Sequence, residues 1–240
     1  NKGAILAWDT SFGRSANTPE LYDYAEKIGI DIVDTELFGI KDMDVSTQLT
    51  KIMTHNPDWI FGCIAGIGGN VIMKSMDAMG LIGKVPFVGH TGFDEPCIRV
   101  IGEIAEGSYV IRPVVTWSET DVEGIKVINK YFKKNNRKLE DRAYVYLWCA
   151  WSYTLTMRGA ILRALHEAGG DWSMVDTTAV KAQLDKFHEN PYDAMGLMQH
   201  AYSPTYRTSD SVKIAKVVNG EFIPVTGWLK CPDLRPAKYK

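Results

Sequence analysis

The sequence predicts an α/β protein whose first part is a parallel sheet covered by helices on both faces. Short apolar runs alternate with amphipathic segments between residues 3 and 113. The run WIFGCI (59–64) is apolar throughout, as expected of a strand buried on both faces. The composition, 45% hydrophobic and 23% charged, suits a chain that buries a sizeable core. Strands that are joined through helices pair in parallel, so these observations indicate one open sheet.

The elements of this first part follow one another in order. The predicted strands are GAILAW (3–8), DIVDTELF (31–38), WIFGCI (59–64), VPFVGH (85–90) and SYVIRP (108–113). The predicted helices are LYDYAEKIG (21–29), VSTQLTKIM (45–53), VIMKSMDAM (71–79) and EPCIRVIGEIAEG (95–107). Asp44 and Asn70 are the expected N-caps of the second and third helices. Gly29, Gly80 and Gly107 are expected to end helices, because glycine adopts the left-handed conformation there at no steric cost.

The character of the sequence changes after Pro113. Helices are predicted over 116–136, over 143–168 and over 178–187. The second begins with the aromatic residues Tyr144, Tyr146, Trp148, Trp151 and Tyr153. These helices are amphipathic, yet this part of the sequence contains no convincing buried strand for them to cover. A hairpin is predicted over 211–225, because Asn219–Gly220 is a strong turn signal between two apolar runs.

Several classes of function are disfavoured by composition. A net charge of −2 does not suggest a nucleic-acid partner. The cysteines (Cys63, Cys97, Cys149 and Cys231) form no CxxC pair, and the five histidines lack ligand spacing, so a metal site is not expected. One disulfide remains an alternative, for which the sequence does not select the partners. Buried, unreactive thiols are the simpler expectation. The apolar runs are too short to cross a bilayer.

The segment GIGGN (66–70) follows a predicted strand and resembles a phosphate-binding loop. A dinucleotide fingerprint requires a third glycine, but Val71 occupies that position. Its acidic residue about 20 positions later is also missing, since His90 and Thr91 stand there. No nucleophile elbow is present either. We therefore expect neither a nucleotide cofactor nor an enzyme, and we expect the glycines to clear space on the wall of a ligand site.

The carboxyl ends of parallel strands meet at one edge of a sheet, where ligands bind in open α/β folds. The loops at that edge are DTSFG (9–13), AGIGGN (65–70) and HTGFDE (90–95). They are rich in glycine and small polar residues, which predicts the floor of a shallow site. The alternative is that they are ordinary connections between strands and helices.

Longer motifs carry a family resemblance. AILAWDTSFGRS (4–15), STQLTKIMTHNPDWIFGC (46–63), PFVGHTGFDEP (86–96) and YSPTYRTSDSVKIAKVVNGEF (202–222) occur in order over nearly the whole chain. They resemble the second lobe of type I periplasmic binding proteins, in particular the branched-chain amino acid (Leu/Ile/Val) family that feeds ABC importers. The resemblance implies a three-layer αβα lobe at 1–113. It also implies that 118–210 is the mainly helical part of lobe one, whose sheet strands are missing from this chain, and that 211–240 crosses back to lobe two as a tail.

The resemblance also implies a ligand site. Its residues are Ser11 and Phe12 in the first loop, Ala65 and Gly66 in the second, and His90 and Thr91 in the third. Relatives commonly place a carboxylate at the position of Thr91, where it neutralises the ligand's amino group. An ammonium buried without a counter-charge costs several kcal/mol. An aromatic acid, an aliphatic acid or an amide therefore gains over a zwitterionic amino acid, unless Asp9 or Asp94 substitutes for the missing carboxylate.

The function implied is that of an extracytoplasmic solute-binding protein of an ABC importer. It would close two lobes over a small organic molecule, with hinges expected near Val114–Trp117 and Val212–Val218. Its expected partners are permease subunits and the missing N-terminal lobe, in the periplasm or outside the cell, with a lipid anchor as one option. The first alternative is a ligand-sensing regulatory or receptor domain of the same fold. The second is an α/β enzyme with a nucleotide cofactor.

Overall fold

The computed structural model describes residues 1–144, 146–206 and 209–235. The chain divides there into two compact units. Unit 1 comprises Asn1–Arg112 and Ile214–Thr226, together with Leu234 and Arg235. Unit 2 comprises Pro113–Lys213 and Gly227–Asp233. The side chains of Tyr146, Trp148 and Cys149, which entered the sequence predictions, lie outside the described part.

Unit 1 is built on a parallel sheet. Its strands are β1 (Lys2–Trp8), β2 (Asp31–Phe38), β3 (Trp59–Cys63), β4 (Phe87–Gly89) and β5 (Tyr109–Arg112). They lie in the order β5-β4-β3-β1-β2, and each neighbouring pair is parallel. The predicted strands of the first part are thereby confirmed. All five carboxyl ends point to one edge of the sheet, which is the edge where the candidate loops begin.

Helices cover both faces of this sheet. They are α1 (Ser11–Arg14), α2 (Pro19–Lys27), α3 (Ser46–Met53), α4 (Gly68–Ala78) and α5 (Glu95–Ile101), the last followed by a 3-10 turn at Gly102–Ala105. Along β1, Ala4 and Leu6 enter the large core under α3, α4 and α5, while Ile5 and Ala7 enter a smaller cluster under α2. Burying one leucine or isoleucine side chain contributes about 1.5–3 kcal/mol. The alternation of β1 therefore holds both helix layers.

Two predicted N-caps are wrong. Helix α4 begins at Gly68, so Asn70 lies inside its first turn and is buried rather than capping it. Val45, not Asp44, is the N-cap of α3. Asp44 instead accepts hydrogen bonds from the hydroxyls of Ser46, at 2.6 Å, and Ser75, at 3.0 Å. It therefore joins the entry of α3 to α4, and these hydroxyls are the main reason its pKa lies below the usual value.

The predicted hairpin is present. Strands β8 (Ser211–Val218) and β9 (Glu221–Pro224) pair antiparallel, with Val218 opposite Glu221. The turn residues Asn219 and Gly220 have φ of 52° and 74°, the left-handed pair that a type I′ turn requires. In unit 1, β8 lies beside β5, where the Val217 amide donates to the Ser108 carbonyl at 2.8 Å.

Unit 2 is mainly helical. Its helices are α6 (Glu123–Lys134), a π-helix at Tyr146–Ser152, α7 (Tyr153–Glu167) and α8 (Thr177–Asp185), with 3-10 turns at Leu139–Asp141 and Trp172–Met174. Its strands among the described residues are short: β6 (Tyr192–Asp193) pairs with β7 (Gln199–His200), and β10 (Leu229–Lys230) pairs with the first residues of β8. Val114, Trp117, Ile125 and Leu197 are among the members of its core.

The helix predicted over 116–136 is shorter than expected. A turn precedes α6, in which the Thr116 amide donates to the Glu119 carboxylate at 2.7 Å. Glu119 also pairs with Lys213. A carboxylate committed to these two partners holds residues 116–119 in a turn, so the helix starts only at Glu123. No helix in the described residues is long and apolar enough to span a membrane.

Candidate ligand-binding site

The first loop presents an aromatic ring. Thr10 caps α1 by accepting from the Gly13 amide at 3.2 Å, and Gly13 lies so close to the Trp8 carbonyl that no side chain would fit there. This tight turn leaves the Phe12 ring 42% exposed after the end of β1. Ser11, its neighbour, is exposed, and its side chain makes no hydrogen bond within the described residues.

The glycines of the second loop serve two different purposes. Gly66 has φ +49° and open space where a Cβ would stand, as expected of a residue that clears room on a site wall. Gly68 and Gly69 do not clear such space. A Cβ on Gly68 would lie 2.9 Å from Ile64 and Trp8 atoms, and one on Gly69 would lie 2.5 Å from Phe93. The prediction that these glycines open the site is therefore wrong for these two, which admit core side chains instead.

The third loop supplies the polar groups. The His90 amide donates to the Gly62 carbonyl at 2.9 Å, which continues the β3–β4 pairing by one residue. Its ring Nδ1 lies 2.8 Å from the Thr91 hydroxyl, and burial lowers the pKa of this histidine. The ring is therefore neutral at pH 7. A neutral imidazole and a hydroxyl offer hydrogen bonds to a ligand without a formal charge.

Contacts bring the three loops together. The Phe12 and His90 rings meet edge to face, with centroids 5.1 Å apart. Gly92, next to Thr91, packs so closely on Ala65 that a Cβ there would collide with the Ala65 backbone. The Cys97 thiol lies 3.1 Å from the Gly66 carbonyl oxygen. Of the six residues expected at the site, Phe12, Ala65, Gly66, His90 and Thr91 thus lie on segments in mutual contact, and Ser11 adjoins them through the chain.

The nearby carboxylates are unequally available. Asp9 accepts from the Arg14 guanidinium at 2.6 Å, so its charge is already neutralised. Asp94 is the N-cap of α5. Burial, followed by the neighbouring Glu95 carboxylate, raises the pKa of Asp94, while the Cys97 thiol and Arg112 act in the opposite direction. Of the two carboxylates considered as substitutes at Thr91, Asp9 is therefore the one already held in an ion pair, with Arg14.

Residues outside the predicted set support these loops. Arg112, fully buried, pairs with Glu95 in the first turn of α5 at 3.0 Å and stacks over the Phe222 ring at 4.3 Å. Phe93 is fully buried beneath the second and third loops. The thiols of Cys63, Cys97 and Cys231 are free. Sequence reasoning missed the supporting role of Phe93, Cys97 and Arg112, because each depends on contacts between segments that are distant along the chain.

Comparison with known proteins agrees with this architecture. A family model described as periplasmic binding protein matches residues 1–221. The chain belongs to the periplasmic binding protein family. The family resemblance and the type I α/β fold expected from the sequence are thereby confirmed. No match was found among curated proteins.

Solved structures of this family share the fold at low identity. A branched chain amino acid ABC transporter protein from Thermus thermophilus, with bound valine, has 18% identity and a TM-score of 0.78, over 97% of this chain and 61% of that one. An ABC transporter substrate binding protein from Aeropyrum pernix has 21% identity and a TM-score of 0.72, over 99% and 62%. A leucine binding protein from Thermotoga maritima has 19% identity and a TM-score of 0.68, over 97% and 61%. The chain therefore spans about three-fifths of the length of these relatives.

Proposed function

We propose that this periplasmic binding protein chain supplies one wall of the ligand site of an extracytoplasmic solute-binding protein of an ABC importer. The observation that carries the proposal is the convergence of Phe12, Gly66 and Thr91 on one edge of the parallel sheet, in a chain that matches the family over residues 1–221. The site binds rather than transforms its ligand. Phe12, with 42% of its surface exposed, is the apolar contact, and Thr91 and the neutral His90 are the polar ones.

The ligand is a small organic molecule such as an amino acid, an aromatic or aliphatic acid, or an amide. Relatives of this fold are described with bound valine or as binding leucine. In this chain the polar side chains expected at the site are uncharged, and burial raises the pKa of Asp94, which follows Thr91 by three residues. A ligand whose contact with this wall is uncharged avoids the penalty of burying an unpaired ammonium. Acids and amides are therefore the favoured ligand classes. An amino acid would require the Asp94 carboxylate as the counter-charge of its ammonium group.

Residues 1–113 form lobe two on this proposal, and residues 118–210 form the mainly helical part of lobe one. The sheet of lobe one lies outside this sequence, and of the predicted crossing 211–240 the described residues 214–226, 234 and 235 belong to the unit that holds lobe two. The length of the relatives supports this division, since the chain spans about three-fifths of them. The exposed apolar side chains of Met157, Leu162 and Trp172 in unit 2 support it too, because they line one open cavity along α7. The partners are this missing lobe and permease subunits, and the location is periplasmic or extracellular.

A thermal-shift screen of the full-length protein tests the proposal. The panel contains leucine, valine, benzoate, benzamide and a dinucleotide such as NAD. A bound ligand stabilises the folded state by about 2.7 kcal/mol at one hundred times its dissociation constant. We expect at least one of the four small organic ligands to raise the unfolding temperature and the dinucleotide to leave it unchanged. Stabilisation by the dinucleotide alone would instead support a cofactor-binding enzyme.

A further inference from the structure

The Phe93 side chain fills two spaces that exist only because Gly69 and Gly89 have no side chain. This side chain is fully buried, although it belongs to the third loop. A Cβ on Gly69, in the second loop, would lie 2.5 Å from Phe93 Cδ2. A Cβ on Gly89, at the end of β4, would lie 2.5 Å from Phe93 Cβ. Real Cβ atoms do not approach other heavy atoms so closely, so the absence of side chains at 69 and 89 is what seats this ring.

The ring is also held from below. Phe93 meets Phe87 edge to face at 5.3 Å and Phe222 at 6.0 Å. Phe222 in turn lies 4.3 Å under the Arg112 guanidinium, which pairs with Glu95 two residues after Phe93. The backbone of the third loop is therefore fixed on both sides of Thr91 and His90: by Phe93 and Glu95 after them, and by β4 before them. A ring packed this tightly cannot swing away without opening the core.

A second link joins the same two loops. The Cys97 thiol lies 3.1 Å from the Gly66 carbonyl and 3.6 Å from the Gly92 carbonyl. Burial raises the pKa of this thiol to about 12, so it stays protonated and can donate to these oxygens or to the Asp94 carboxyl beside it. The thiol has one proton for three acceptors. The Gly66 carbonyl belongs to the second loop, and the Gly92 carbonyl and the Asp94 carboxyl belong to the third loop, which leads into α5. The two loops thus share a donor as well as an aromatic ring.

We infer that Phe93 is a positioning residue, which fixes the second loop (65–70) and the third loop (90–95) to one another so that they move as one piece. The inference rests on the proposed function, because it assigns the shape of that site wall to a side chain that does not touch the ligand. A wall of this kind is formed before the ligand arrives, so ligand binding costs less conformational entropy. Gly69 and Gly89 are present to admit the ring and make no contact with the ligand.

A double-mutant cycle in the full-length protein tests the coupling. The variants are Gly69→Ala, Phe93→Leu and the pair of them, and hydrogen–deuterium exchange is measured without ligand on peptides that cover residues 64–70 and 88–94. The alanine methyl collides with the ring, and leucine vacates part of that space. Each single substitution is expected to accelerate exchange in both loops. In the double variant, exchange is expected to be at least about fivefold slower than additive single effects would give, a coupling within the range seen for contacting residues. Additive effects, or a change confined to the loop that carries the substitution, would overturn the inference.

The matched control is Leu49→Ala. Leu49 is fully buried in the same core, but it lies in α3 and in neither loop. It should lower the unfolding temperature and leave exchange in the two loops as it is in the wild type. If this control accelerates both loops to the same extent, Phe93 acts through global stability alone and the inference fails.

A milder pair of variants covers the case in which Gly69→Ala does not fold. Cys97→Ala removes the shared donor, and Cys97→Ser restores one. Exchange in both loops should rise in the alanine variant and return toward the wild type in the serine variant. Unchanged exchange in Cys97→Ala and in Phe93→Leu would refute the coupling.

A binding measurement separates this inference from the proposed function. Leucine, benzoate and benzamide are titrated by calorimetry into the wild type and the cycle variants. A probe that binds the wild type should lose at least about tenfold affinity in each single variant and regain part of it in the pair. If no probe binds the wild type, the proposed function loses its support, while the exchange result still decides the coupling of the loops.

Discussion

Thr91 and His90 carry the polar groups of the third loop, and neither brings a formal charge at neutral pH. The hydroxyl and the ring Nδ1 lie 2.8 Å apart, and burial keeps the pKa of the ring below its ordinary value. Such a pair can satisfy a carbonyl, an amide or a carboxylic acid by hydrogen bonding. It cannot compensate an ammonium, because only an opposite charge offsets the cost of burying one. On the proposed function, single residues of this loop would therefore decide the class of ligand.

Thr91→Glu should move ligand preference toward amino acids. A carboxylate at this position supplies the counter-charge that an ammonium requires, and it repels the carboxylate of benzoate. We expect the ratio of leucine to benzoate affinity to rise by at least about tenfold, since one charge pair at a desolvated site is worth more than 1.4 kcal/mol. The measurement is calorimetric titration of both ligands. Thr91→Gln is the matched control, because it has the same size without the charge, and an equal shift in both variants would assign the effect to shape.

At the scale of elements, the sequence pattern predicted those elements whose structure depends mainly on neighbouring residues. Strand β2 spans Asp31–Phe38 as predicted, and the turn at Asn219–Gly220 has the backbone that its residue types require. The start of α4 could not be predicted, because Gly68 and Gly69 are poor helix formers and become helical only by packing under side chains from other segments. The edge that carries the candidate site followed from the parallel pairing that strands joined through helices predict. The contacts that shape it, from Phe93 and Arg112, did not, since they join residues far apart in sequence.

The buried contact between His200 on β7 and Thr156 on α7 predicts a loss of stability in acid. His200 on β7 is buried, its Nε2 lies 2.6 Å from the Thr156 hydroxyl of α7, and the rings of Tyr153 and Tyr202 surround it. Burial lowers its pKa from 6.5 to about 4. As the pH falls from about 6.5 toward 4, the unfolded chain therefore binds a proton at this residue and the folded chain does not. The free energy of unfolding has its full value at neutral pH and decreases across that window. One residue of this kind costs about 2 kcal/mol at pH 5.

Urea unfolding at pH 8 and at pH 5 measures this loss. His200→Gln should remove most of the difference between the two pH values, because glutamine does not titrate. His188→Gln is the control, since its ring is half-exposed and bonds only within its own turn. A pH dependence that persists unchanged in His200→Gln would show that other groups cause it.

At the scale of the whole molecule, both units leave some large apolar side chains exposed, but three of those in unit 2 lie together. Unit 1 closes a parallel sheet between two helix layers. In unit 2, Met157 and Leu162 on α7 are 44% and 42% exposed, and Trp172 is 63% exposed. With Tyr153, Arg158 and Ile161 they line one open cavity along α7. A face of this kind is a site of association when nothing covers it.

The chain of 240 residues, expressed alone, should therefore bind a hydrophobic dye and self-associate. The full-length protein should do neither, because on the proposed division the sheet of lobe one covers α7. Dye fluorescence and light scattering are compared for the two proteins at equal concentration. Met157→Lys and Leu162→Lys in the isolated chain should reduce both signals, since charges on the exposed face disfavour association, whereas Val100→Lys, at a more exposed site in unit 1, should leave them unchanged. A dye-silent, monodisperse isolated chain would contradict the assignment of 118–210 to an incomplete lobe, and the fold of unit 2 would then have to be complete without further strands.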